Sequence, residues 1–544
     1  LKGRIYLAKK ESFVKGTLIL AGAALLVRLL GIAQRVPLEH AFGDLGNAAY
    51  GIANNVYLML LTVASGGIPS TLSKMVSEKY ALNKPHEAKR IYHAALIFSA
   101  VMGIVATLAL YIAAPYYAAY SKVPQASIAI RAIAPALLIF PTIAMMRGYF
   151  QGRGNMTVSG VSQIVEQILR VITAIGLAFF MLHLGYSDEW LAAGASFGSV
   201  FGSVGAFAVM LYCALKLRSK EADMLETVSP GPKMPLGQIY MSIFKLSIPI
   251  VLTSLAVSAV NFIDTSMVKG LLLGQIGEFE AEKALAYLAS RAQMVAGIPP
   301  ILAIALSTSL IPVISAAYAR KDNKHLTNQV TLAMRISILT GLPMVIMLGM
   351  ASYSVNGLLF KTLDGSEIMG LLTLMTIFQI TMMTSNSILL GIGKPNLSMV
   401  HVGIGLIIKI IGNYTLSPLL GIYGVIIATG LCFLVITCLN IYAMKKFVPF
   451  KLMGDRWVSL IISVIILAGV TYGLNQLGIQ MVHIMHFRVA FFLTCMLVGI
   501  GVLIVYPILL IMLNVIRKDE LDSYPRLIRK LVSPIMRVKY RARG

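Results

Sequence analysis

Two arginines stand seven residues apart in the apolar stretch ALLVRLLGIAQRV (24–36), at Arg28 and Arg35. Seven residues is two helical turns, so both guanidinium groups fall on one helix face. An arginine at the centre of a membrane helix costs roughly 2.5–3.5 kcal/mol even on insertion scales, so it must face protein or a wet cavity. Arg28 is too deep in its apolar run to snorkel easily, which leaves a cavity role or a structural ion pair. Arg35 stands just before Pro37, where the helix should end or bend, and can either line the cavity or snorkel to the interface. The chemistry that suits such groups is recognition of a multiply charged oxyanion, because the guanidinium fork binds phosphate oxygens in pairs.

Further charges lie inside apolar runs. In VEQILR, Glu166 and Arg170 are spaced i,i+4 and can neutralise each other, either as a self-contained pair or as part of a binding site. Arg291, in LASRAQMVAGIPP, has the same reading as Arg28. Arg131 and Arg335 lie near run ends, where snorkelling is the default. Lys409 is deep, and a buried lysine can be neutral, so its role stays open. Asp264 follows Asn261 by one turn in VNFIDTSMV. Their oxygens could hold a hard cation such as Na+, or form an ordinary interfacial polar cluster. No metal site is otherwise indicated: Cys213, Cys432, Cys438 and Cys495 all sit in apolar segments without C-x2-C spacing. The chain also lacks a phosphate-binding Gly-rich loop, an H-E-x-x-H pair and a G-x-S-x-G elbow in credible context. The expectation is a transporter that needs no cofactor, rather than an enzyme.

The elements that must carry these residues are membrane helices. Of 544 residues, 58% are hydrophobic and only 12% charged, with a mean hydropathy of +0.81. Apolar runs of about 20 residues recur from end to end, and they predict an all-α integral membrane protein of about fourteen spans. The net charge of +24 would suggest nucleic acid in a soluble chain, but its distribution excludes that. Lys and Arg concentrate in the N-terminal tail and in the connections after even-numbered spans, such as KMVSEKYALNKPHEAKR and KKFVPFKLMGDR. The other connections carry only Lys122, Lys269, Lys283, Lys361 and Arg488. By the positive-inside rule both termini are cytoplasmic, and the basic tails favour anionic inner-leaflet lipid. The first span, too long and too arginine-bearing for a signal peptide, should stay attached.

IFPTIAMMRGYFQGRGN (139–155) and IFQITMMTSNSILLGIGKPN (377–396) share a Met pair and a closing G-(R/K)-(G/P)-N, while GIPSTLS (67–73) is matched by LIPVIS (310–315). Both offsets relate spans 1–6 to spans 7–12, two pseudo-symmetric six-helix lobes of like orientation. The predicted division is an N-lobe over 1–217, a cytoplasmic linker over 218–239, a C-lobe over 240–444, two further spans over 445–514 and a basic tail over 515–544. Gly194, Gly198 and Gly202 form successive G-x-x-x-G pairs in span 6, a helix-packing signal.

Through RLLGIAQR, FGDLGNAAYGIANNVYLML, GIPSTLSKMVSE and SRAQMVAGIPPILAIALSTSLIPVIS, the chain resembles the multidrug/oligosaccharidyl-lipid/polysaccharide exporter superfamily over about its whole length. Within it the likeness is to the MurJ-type lipid II flippases and their sporulation (stage V protein B-like) and polysaccharide-biosynthesis relatives. The resemblance implies two lobes around a cationic cavity, the last two spans beside a lipid-accessible groove, and alternating access. It implies a bacterial plasma-membrane protein that moves an undecaprenyl-pyrophosphate-linked sugar, lipid II above all, to the outer leaflet for peptidoglycan synthesis. Cavity arginines of the family fall on Arg28, Arg35 and Arg291. The chain departs from the pattern in that Gln34 stands at the family's second arginine with Arg35 one place later, and Leu60 replaces a span-2 arginine. The partner is then a lipid-linked oligosaccharide pyrophosphate met by a monomer, with Na+ or H+ coupling or the membrane potential as the drive. Alternatives are export of another lipid-linked polysaccharide or spore-wall precursor, cation-coupled drug export, and a membrane glycosyl transferase or polymerase. A phosphatase reporter fused to the C-terminus should be inactive and a fluorescent protein there bright, as a cytoplasmic terminus requires; the reverse pattern would refute the orientation.

Overall fold

The structure is a computed structural model that describes residues 13–516 apart from 66, 82–83, 226–234, 302, 304–313, 316, 319–321, 361 and 451. The basic tails, most of the expected eighth span, the LIPVIS repeat and the centre of the 218–239 linker therefore lie outside the described residues. Among the described residues every regular element is helical. Apolar runs leave the backbone no water to bond, and a helix satisfies its own N–H and C=O groups.

Twelve helices among the described residues are long and apolar enough to cross a membrane. Two more, α1 (Phe13–Ala41) and α2 (Asp44–Ser65), occupy the places read as the first two spans. Two helices also stand where one seventh span was read: after α8 (Asp188–Leu225) come α9 (Leu236–Ser254) and α10 (Ala256–Ile276), with a break at Leu255 shortly after Pro249. Helix α1 runs on through Pro37 to Ala41 instead of stopping there. A proline in a membrane helix is tolerated where neighbouring groups resatisfy the backbone it frees.

The chain forms two compact units, residues 1–289 and 290–544. In the first, α3 (Ile68–Ala81), α4 (Pro85–Tyr120), α5 (Ala126–Ile133), α6 (Ala136–Gly152) and α7 (Met156–His183) complete the bundle of α1, α2 and α8. Helices α9, α10 and α11 (Glu278–Ala286), assigned by sequence to the second lobe, pack on α2, α3 and α4 of this unit. The seam between α7 and α8 is the G-x-x-x-G stripe. A Cβ on Gly198 would lie 2.7 Å from Ala174, and one on Gly202 would lie 2.8 Å from the Glu166 carbonyl. A second close approach explains FGDLGN. The Asp188 carboxylate accepts from the Gly46 N–H at 3.3 Å, and a Cβ on Gly43 would collide with the same oxygen. Asp188 thus caps the N-terminus of α2 from another helix, with its charge at the positive dipole end.

The second unit opens with the end of a π-helical turn (Tyr287–Ala292) and α12 (Gln293–Ala296). Its bundle is α13 (Asn323–Met350), α14 (Ser352–Leu359), α15 (Ser366–Gly391), α16 (Pro395–Leu420) and α17 (Ile422–Lys445). The last two helices, α18 (Trp457–Gln480) and α19 (Phe487–Met512), share a core with α13: Leu460, Leu467, Val498 and Val502 meet Ile338, Leu339 and Ile346. Gly198→Ile should destabilise the protein by about 1–3 kcal/mol or more, since overpacking a tight seam forces the backbone apart. Gly176→Ala, on α7 with open space around it, should be neutral or slightly stabilising in the same unfolding measurement.

Candidate functional site

The first unit gathers its intramembrane charge around α2. Tyr50 and Tyr57 stand seven residues apart on that helix, hence on one face, and each takes an arginine from a neighbouring helix. The Arg35 guanidinium of α1 lies 4.6 Å from the Tyr50 ring centre, and that of Arg170 on α7 lies 5.9 Å from the Tyr57 ring centre. Aromatic faces attract such cations, more strongly where water is excluded.

The i,i+4 pair read from VEQILR forms, with Arg170 Nη2 donating to Glu166 Oε1 at 2.8 Å. It is not self-contained. Arg147, reaching from α6, donates through Nη2 to Glu166 Oε2 at 2.9 Å and through Nε and Nη2 to Ser162 Oγ at 3.2 and 2.9 Å. One carboxylate therefore bridges two buried guanidinium groups, whose side chains are only 9% and 16% exposed. The triad keeps one positive charge in excess. Sequence reasoning missed Arg147 because Gly148 and the following QGRGN read as the cytoplasmic end of the span. The signal lay in α6 itself, which continues to Gly152 and leaves Arg147 more than a turn inside the helix.

The other candidates are placed differently. Arg35 is half-buried; its Nη2 makes one long bond, 3.4 Å to the Ala289 carbonyl. Of its five N–H donors the remainder have no protein acceptor among the described residues. Gln34, beside it, is buried and donates to the Tyr50 hydroxyl at 3.2 Å. Arg28 sits on α1 two turns earlier, and its side chain lies outside the described residues. Asp264 is buried within α10, with half-buried Asn261 a turn before it, and the Thr265 hydroxyl donates to the Asn261 carbonyl. Among the described residues no three His, Cys, Asp or Glu side chains cluster to hold a metal. Lys269, assigned by sequence to an outer connection, is instead buried in α10 and paired with Glu282 at 2.8 Å and Glu278 at 3.4 Å.

In the second unit Arg291 is buried and belongs to the π-helical turn, a distortion that often marks functional positions. Its Nη1 donates to Thr362 Oγ1 at 2.9 Å and to the Asp364 carbonyl at 3.1 Å, with the guanidinium over Phe360. Asn356 braces the same turn by donating to the Asp364 carbonyl and to Ser366. Lys409 is fully buried on α16, and its ammonium donates to Asn413 Oδ1 and to the Val425 carbonyl, both at 2.8 Å.

This fold is that of the multidrug/oligosaccharidyl-lipid/polysaccharide exporter superfamily. An inward-facing multidrug resistance MATE family transporter superposes with a TM-score of 0.64 at 15% identity, covering 79% of this chain and 98% of that one. A superfamily transporter from Pyrococcus furiosus gives 0.59 at 15% identity, covering 80% and 95%. Within that class the chain belongs to the polysaccharide biosynthesis protein family, whose model matches residues 13–318, while the MatE model matches 249–415. Lipid II flippase MurJ of Bacillus subtilis is 25% identical over 83% of this chain and 86% of its own length. Stage V sporulation protein B of the same organism is 24% identical over 96% and 99%. The chain is thus a multi-pass membrane protein of a family of transporters that includes flippases of lipid-linked precursors.

Glu166→Gln removes the one charge shared by two guanidinium groups and should cost about 3–5 kcal/mol, as breaking a buried pair does. The double variant Glu166→Gln/Arg147→Met should recover part of that loss in the same unfolding assay; no recovery would show that the bridge is not what stabilises α6 on α7.

Proposed function

We propose that this protein flips a saccharide carried on a lipid pyrophosphate, with lipid II as the leading substrate, from the inner to the outer leaflet of the bacterial plasma membrane. The observation that carries the reading is Arg35: a half-buried guanidinium held by an aromatic face and one weak bond, with donors left over for an anion. Arg147 and Arg170 are committed to Glu166, and their surplus charge keeps the surrounding potential positive. A pyrophosphate carries at least two negative charges and offers oxygens in the geometry a guanidinium fork accepts. A cationic drug would meet repulsion at the same place. The lipid tail can stay in hydrocarbon while only the polar head crosses by alternating access. The termini are assigned to the cytoplasm, the basic tails to anionic inner-leaflet lipid, and the working unit to a monomer. The membrane potential supplies about 2.3 kcal/mol per charge per 100 mV, and Na+ or H+ coupling through Asp264 and Asn261 is the ion-driven version.

A spore-wall precursor is the second reading, favoured by the near end-to-end match to the stage V sporulation protein. The test is leaflet-resolved translocation of purified lipid II, alongside other undecaprenyl-linked sugars, in vesicles that hold the purified protein. Arg35→Ala, and separately Arg28→Ala and Arg291→Ala, should insert normally and lower the rate at least tenfold. Movement of a cationic dye with none of the lipids would refute the flippase. Wild-type flux in all three variants would refute the arginine assignments.

A further inference from the structure

We infer that the second unit carries a resident lipid: an anionic glycerophospholipid whose acyl chain fills a slot between α18 and the bundle, with its headgroup phosphate on Lys445. The slot is a cavity of about 680 Å3. Met334 and Ile338 of α13, Phe378 of α15, Leu434 and Ile441 of α17 and Ile461 of α18 face it, so four helices leave a gap where protein interiors are otherwise close-packed. The two hydroxyls in its wall are already bonded, Thr381 to the Ile377 carbonyl and Thr437 to the Phe433 carbonyl of their own helices. Water needs polar partners to stay in such a cavity, and here it finds few. Hydrocarbon fits the wall.

Depth and charge select the lipid. Along α18 the slot runs from Trp457 to Ile465, eight residues or about 12 Å at the helical rise, against about 15 Å for the hydrocarbon of one leaflet. One acyl chain fits that depth, whereas a long polyprenyl tail would leave most of its length outside. The lining comes from α13, α15, α17 and α18 with none from α19, and it includes no arginine assigned to the transported pyrophosphate. Lys445 is the one charged residue of the lining; it is exposed in the last turn of α17 and pairs with no carboxylate among the described residues. It opens KKFVPFKLMGDR, the connection that lines this end through Phe450, Leu452 and Gly454. Four basic residues stand in that connection against Asp455 alone. Trp457, at the same end, suits the headgroup level. A lysine stem can follow the apolar wall while its ammonium reaches a phosphate, and a basic cluster favours anionic over zwitterionic headgroups. In the orientation proposed above this end faces the inner leaflet; only that leaflet assignment rests on the proposed function.

The test uses the purified full chain, delipidated in detergent and given dioleoylphosphatidylglycerol or dioleoylphosphatidylethanolamine, which share their chains and differ in headgroup charge. Phosphatidylglycerol should raise the unfolding midpoint by several degrees more than phosphatidylethanolamine does. It should also slow labelling of Cys438, an exposed thiol in the slot wall, severalfold more with an apolar maleimide followed by peptide mass spectrometry, and leave Cys495, outside the slot, unchanged. Both differences should vanish in Lys445→Gln, a surface change that leaves the apolar wall intact. The midpoint difference should vanish in Cys438→Trp, which fills the slot. Equal effects of the two lipids on the unaltered protein, or differences that survive Lys445→Gln, overturn the proposal. Protection of Cys438 by undecaprenyl phosphate and not by phosphatidylglycerol overturns it as well, and makes the slot part of the transport route. Should Cys438→Trp fail to fold, the labelling and Lys445→Gln decide. No transport is measured, so this proposal and the flippase assignment can fail independently.

Discussion

A guanidinium group inside a membrane bundle must be compensated within the protein, and Glu166 does this for two of them at once. The arrangement requires α6 to approach α7 closely enough for Arg147 to reach a carboxylate that Arg170 of α7 also holds. The glycine seam on α8 holds the same stretch of α7 from another helix: Gly198 and Gly202 bring the α8 backbone against Ala174 and Glu166. Ser162, which accepts from Arg147, in turn donates to the Ala206 carbonyl of α8 at 3.4 Å. Packing and charge compensation therefore depend on each other. A side chain on the seam would displace the ion bridge, and losing Glu166 would leave two cations for the seam to bury.

The arginines form three chemical classes. Arg147 and Arg170 are pinned by one carboxylate; removing that carboxylate leaves two cations unpaired, whereas removing either arginine leaves a neutral pair. Arg291 is held by a hydroxyl and a carbonyl of a braced turn, which orient its guanidinium. Arg35 rests on a ring, which orients a guanidinium while consuming few of its donors. For binding an anion the third class is the useful one, because no ion pair has to break before the ligand enters. Pre-organised donors of this kind bind without an added reorganisation cost.

In the second unit neutral groups form a buried polar network and also partner the buried Lys409. Asn440 donates to Ser385 and Asn386, Ser398 donates to Asn386, and His401 bonds Asn440 at 2.7 Å, joining α15, α16 and α17. Lys409 finds Asn413 and the Val425 carbonyl on the same pair of helices, α16 and α17. Such a network costs little when each member is bonded and fixes which helix faces meet. Helices α18 and α19 join α13 through apolar contacts and the bond from the Tyr506 hydroxyl to the Leu339 carbonyl.

By itself the amino-acid sequence determined that this is a helical membrane protein, where most of its apolar runs lie, which helix carries a close-packing stripe, and that Glu166 and Arg170 pair. Those properties are local: hydropathy over one run, spacing along one helix, charge in one connection. Sequence also singled out Arg35, Arg291 and Lys409, because a charge in an apolar run stands out without knowledge of its neighbours. Tertiary structure decided what surrounds each of them. It drew Arg147 into the triad, buried Lys269 between two glutamates, and set Asp188 as the cap of a helix more than a hundred residues away in the chain. It also brought Tyr57, Arg170 and Ser203 together from three different helices. None of these could be read from spacing, because each depends on helices distant in sequence meeting at a particular rotation and depth, which the summed packing of the bundle sets and no single helix encodes.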